Sequence, residues 1–152
     1  MPIKLKSEEQ DLLREELADF AATLPEGEVP PPFSAMVAAV EAGELPDEVL
    51  HDIGRLLEIQ LQTGHVRQVH RAAGEQTLLR LYNQTPPGRA RATSLAEVNR
   101  ALEQLAGQEI ETVRAVARGP GSVLLMISTN ACEITLRFTP EDVGVESVAV
   151  GV

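Results

Sequence analysis

Tryptophan is absent from this chain, tyrosine occurs once and phenylalanine three times, so aromatic residues make up only 3% of 152. The core must therefore be built from Leu, Val, Ile and Ala, and stacking platforms for nucleic-acid bases are missing. Positive charge is scarce as well: 13 Lys and Arg stand against 23 Asp and Glu, a formal net charge of −10. Proteins that hold DNA or RNA draw most of their affinity from phosphate neutralisation, whereas the field of this chain repels phosphate. Both absences argue against nucleic acid as a partner. A single cysteine, Cys132, allows no internal disulfide and no thiolate metal cluster. No stretch approaches the ~18–20 apolar residues of a membrane helix, and "MPIKLKSEEQDLL" lacks the apolar run of a secretion signal. A cytoplasmic protein without membrane association is expected.

What is present divides into three charge blocks. Residues 1–63 hold 4 basic and 14 acidic groups, residues 64–92 hold 5 and 1, and residues 93–152 hold 4 and 8. The first block reads as an acidic helical region and the second as a basic connecting region. The third reads as a helix plus antiparallel β-sheet, packing with the helices as one compact unit.

Periodicity supports this division. Ser7 and Gln10 have the spacing of a capping box, and Leu13, Leu17, Phe20 and Leu24 then form an apolar helical stripe. "VPPPF" is a stiff connector, followed by a second helix from Ser34 to Ala42. A third opens at Pro46, with Val49, Leu50, Ile53, Leu56 and Leu57 on its buried face and a stop at Thr63-Gly64. In the basic block "HVRQVH" suits helix or strand, while "EQTLLRLYNQT" is helical and ends at "TPPG".

Ser94 and Glu97 make a second capping box before the stripe Leu95, Val98, Leu102 and Leu105. The period then changes to that of strands. "EIETVRAVAR" is rich in β-branched residues and "GPG" is a turn. "SVLLMIS" reads as a central strand covered on both faces. "CEITLRF" alternates, with Cys132, Ile134, Leu136 and Phe138 toward the core, and "VGVESVAVGV" adds a last strand. The fold class is α+β: N-terminal helices followed by a helix and a three- to four-stranded antiparallel sheet.

Motifs that carry chemistry are few. His65 and His70 are five apart, which on a helix separates them by about 140°, and no HExxH pattern is present. No metal ligand set, cofactor or catalytic residue is expected from such a pattern. Cys132 reads as a small buried hydrophobe. The acidic pairs Glu8-Glu9, Glu15-Glu16 and Asp47-Glu48 read as solvated positions near helix starts, where the helix dipole favours them. Arg67 and Arg71 are spaced to share a helix face and could grip a carboxylate or phosphate. Alternatively, Arg67, Arg71 and Arg80 are counter-charges packed against the acidic helices. The candidate binding residues are Arg67, Arg71, Arg80, His65 and His70.

These features favour a non-enzymatic interaction protein: a small adaptor, subunit or chaperone-like homodimer, with a protein partner also possible. An open antiparallel sheet with an edge available for pairing motivates the homodimer. The alternative is a small-molecule binding domain whose acidic ligand is held by Arg67, Arg71 and Arg80. An enzyme, with a pocket containing His65, His70 or Cys132, ranks third.

Overall fold

In the computed structural model, which describes residues 1–151, the chain is α+β, with helices first and a sheet last. It divides into two compact units, Met1–Arg89 and Ala90–Val152. No helix among the described residues is long and apolar enough to cross a membrane.

The first unit begins with β1 (Ile3–Lys4), α1 (Ser7–Thr23), α2 (Pro31–Ala42) and β2 (Glu44–Leu45), and continues with α3 (Asp47–Gln62) and α4 (His65–Tyr82). The two short strands pair antiparallel, Ile3 opposite Leu45. The apolar stripes meet in one core in which Leu13, Ile53, Leu57, Val66 and Leu78 are fully enclosed. Complete burial of each such side chain stabilises by about 1.5–3 kcal/mol.

Two details of capping differ from the sequence reading. Lys6, not Ser7, is the N-cap of α1 and makes no side-chain cap bond. Gln10 serves the end of α2 instead, its amide donating to the carbonyls of Val40 at 2.8 Å and Glu41 at 3.2 Å. Carbonyls at a helix C-terminus lack intrahelical donors, and this amide supplies one. Helix α2 also starts earlier than Ser34, because prolines are tolerated in a first turn whose N–H groups have no helical partner.

The same reason corrects the second capping box. Helix α5 (Pro86–Glu103) opens at the "TPPG" segment, so Ser94 lies in its middle. Thr85 Oγ1 accepts the Gly88 N–H at 3.4 Å, and the Thr85 carbonyl accepts the first helical bond from Arg89 at 2.9 Å. The prolines that end one helix begin the next.

The second unit is an antiparallel meander of β3 (Ile110–Gly119), β4 (Ser122–Thr129), β5 (Cys132–Phe138) and β6 (Val143–Val150), hydrogen-bonded in that order. Val98 and Ala101 of α5 are buried with Cys132, Ile134 and Leu136, and Leu102 and Leu105 pack beside them. Register puts Val113, Ile127, Ile134 and Val148 in one row of the same face, and Ala115, Leu125, Leu136 and Val145 in the next. Phe138 shares that face but is exposed and lies outside the cluster. β4 is not covered on both faces: Ile127 is buried, while Leu124, Leu125 and Met126 are half-buried. The helix covers part of one face only. On the other face Glu146 of β6 receives hydrogen bonds from Arg118 of β3 and from Arg137 of β5 at 2.7 Å.

Candidate functional site

Within the first unit, Glu16 is fully buried, although it belongs to one of the acidic pairs that read as solvated. Its place in the helical repeat explains this. Glu16 falls between Leu13, Leu17 and Phe20 at intervals of three, one and three, so α1 turns it toward the core with them. A carboxyl group carried into a core needs hydrogen-bond partners.

Those partners come from two elements. Gln60 continues the buried stripe of α3 into its last turn, and its Nε2 donates to Glu16 Oε2 at 2.9 Å. Gly64, with φ of 77°, then reverses the chain in a left-handed conformation suited to glycine, and α4 starts at His65. His65 Nδ1 lies 3.1 Å from Glu16 Oε2, and His70 Nε2 lies 2.9 Å from Glu16 Oε1. Residues five apart on a helix project about 140° apart, and the two rings accordingly meet different oxygens of the one carboxylate.

A second carboxylate stands at each outer nitrogen. His65 Nε2 is 3.5 Å from Asp19 Oδ2, and His70 Nδ1 is 3.5 Å from Glu15 Oε2. His70 is nearly enclosed, with 7% of its side chain exposed, whereas His65 and Asp19 reach solvent at 30% and 44%. Glu16, Asp19 and His65 each offer one ligand atom, all within 4.8 Å of one another.

The backbone beside this cluster is strained. Arg71 has φ of 62° and ψ of −168°, non-helical values inside α4, in a region populated almost solely by glycine. The strained residue is flanked by His70, docked on Glu16, and by the helix that continues to the buried Leu78 and Leu81. The kink brings the turn so close that a Cβ on Gly74 would lie 2.3 Å from His70 Cβ. Only glycine fits beneath that imidazole.

The arginines chosen from the sequence do not join the cluster. Arg67, Arg71 and Arg80 are exposed, and among the described residues no hydrogen bond or ion pair of their side chains is found. The histidines, rather than these arginines, meet the acidic helix. Arg80 lines a cavity of about 180 Å³ with Lys6, Thr77, Gln84, Glu8 and Glu9. Arg67 and Arg71 do not line it, and the two glutamates oppose an acidic ligand there. Cys132 is buried, 3.5 Å from Gln108 Oε1 and 3.6 Å from Thr129 Oγ1.

The second unit carries a different feature. Along β3, Ile110, Val113, Ala115 and Ala117 share the face on which α5 lies, and all four are exposed, Val113 to 57%. Val123 and Phe138, in the row of Ala117, extend the same uncharged surface, while Val148 lies on that face beyond the buried Ile127 and Ile134.

Comparison of the chain with protein-family models, curated proteins and solved structures gave no match.

Proposed function

We propose that the chain is a non-enzymatic interaction protein that works as a homodimer, joined through the apolar face of its four-stranded sheet. The observation that carries this reading is the row Ile110, Val113, Ala115 and Ala117, exposed along the whole length of β3. Contiguous apolar surface of this kind marks contact sites on soluble proteins.

A second copy is the partner of choice because this face carries no charge. With a net charge of −10 the chain would draw a basic partner elsewhere, while an uncharged surface is complementary to itself across a two-fold axis. Face-to-face contact is favoured over strand addition at the β3 edge. Irregularities in the β3–β4 register near both ends of β3, together with Glu111, Arg114 and Arg118, are devices that discourage edge pairing. The opposite face is closed to this role by Arg118, Arg137 and Glu146, which bridge it with charge. A lone, buried, reduced cysteine suits the cytoplasm, where the protein is proposed to act. Light scattering on the full chain at micromolar concentration tests the reading: a particle of twice the chain mass is expected, and a monomer would remove it.

A further inference from the structure

We propose that Glu16, Asp19 and His65 form a binding site for one divalent transition-metal ion, with zinc the best fit. The ligand set leads there first. His65 sets its ring nitrogens beside two carboxylates, Nδ1 3.1 Å from Glu16 Oε2 and Nε2 3.5 Å from Asp19 Oδ2, so one imidazole nitrogen and two carboxylate oxygens are within reach of a single ion. The surroundings favour a cation: Glu15, Glu16 and Asp19 crowd two imidazoles, on a helix of a chain with net charge −10.

Geometry and preorganisation agree with this assignment. The three ligand atoms lie within 4.8 Å of one another, against ~3.3 Å between the ligands of a tetrahedral ion with bonds of ~2.0 Å. Rotation of Asp19 and His65, both partly exposed, closes that difference. Glu16 need not move, because Gln60 holds Oε2 at 2.9 Å and His70 holds Oε1 at 2.9 Å. Outer partners of this kind fix a ligating carboxylate and raise affinity. Glu16 thus forms the buried floor, His65 and Asp19 the rim, and solvent can fill a fourth position. One imidazole and two carboxylates match the nitrogen and oxygen preference of zinc. Calcium, which takes six to eight oxygen ligands, is poorly served.

The test is calorimetric titration of zinc chloride into the full, untagged, chelator-stripped chain, with cobalt(II) absorption as a second readout. One zinc per chain is expected, with tetrahedral cobalt bands that zinc displaces. Asp19→Asn and His65→Gln should each weaken zinc by about tenfold or more, whereas Glu15→Gln, beside His70 but outside the ligand set, should leave affinity unchanged. Asp19 is half-exposed, so its variant tests the site without emptying the core, and circular dichroism checks that each variant folds. Absence of a stoichiometric zinc site would overturn the proposal. So would zinc binding that survives both Asp19→Asn and His65→Gln, or that Glu15→Gln weakens as much as they do.

Discussion

His70 Nε2 lies 2.9 Å from Glu16 Oε1, joining α4 to α1 across 54 positions of sequence. The contact turns a carboxylate that would be a liability in the core into the hub of three side chains from two other helices. Its removal should therefore cost more than one hydrogen bond. Glu16→Ala leaves Gln60, His65 and His70 directed at an empty space, and the expected loss is about 1–3 kcal/mol for each buried partner left unsatisfied. Urea denaturation measures it, and a loss below about 1 kcal/mol would mean that the cluster contributes little to folding.

Arg71→Gly should stabilise the protein. The φ of 62° and ψ of −168° at this position strain any side chain but suit glycine, and relief of such a backbone is worth about 1–3 kcal/mol. Arg67→Gly, at an exposed helical position with ordinary geometry, is the control and should cost about 1 kcal/mol. A thermal melt in which both substitutions destabilise equally would show that Arg71 is not strained.

Gly74→Ala should behave opposite to the usual helical substitution, which gains about 1 kcal/mol. The new methyl would meet His70 Cβ at 2.3 Å and push the ring off Glu16, so a loss of about 1–3 kcal/mol is expected, as for overpacking. In the His70→Gly background, which removes the clashing Cβ, the penalty should shrink. A double-mutant cycle reads this coupling directly, and additive effects would place the strain elsewhere.

Hydrogen bonds from Arg118 and Arg137 hold the Glu146 carboxyl below the ordinary carboxylate range. A lowered folded value means that this ion cluster stabilises the fold above the unfolded value and that its contribution is lost as pH falls through the folded one. NMR titration of Glu146 should give a midpoint below that of a free glutamate. Glu146→Gln should lower the melting temperature at neutral pH, less so at high salt. A midpoint at or above the ordinary value would contradict the cluster.

Much of the fold was legible because burial follows period. The stripe Val49, Leu50, Ile53, Leu56 and Leu57 is the buried face of α3, and the alternation of Cys132, Ile134 and Leu136 is the core face of β5. The burial of Glu16 was legible too: its place in the Leu13–Phe20 repeat marked it as core, a signal masked by the neighbouring Glu15 when the two are counted as a solvated pair. The convergence of His65 and His70 was not legible. It depends on closure to α1 across 49 and 54 positions of sequence, which no local pattern in α4 signals, and the positive φ of Arg71 beside it has no cue in that side chain either. The start of α5 was missed because the two prolines that stop one helix are also good first-turn residues of another.

The most direct test of self-association through the sheet is Val113→Glu followed by sedimentation equilibrium. Val113 is 57% exposed in the single chain, so a carboxylate there should leave the folded monomer and its melting temperature almost unchanged. In a two-fold contact it would bury two like charges. The wild-type chain should sediment as a dimer at micromolar concentration and the variant as a folded monomer. A monomeric wild type, or a variant that stays dimeric, would contradict the sheet face as the interface.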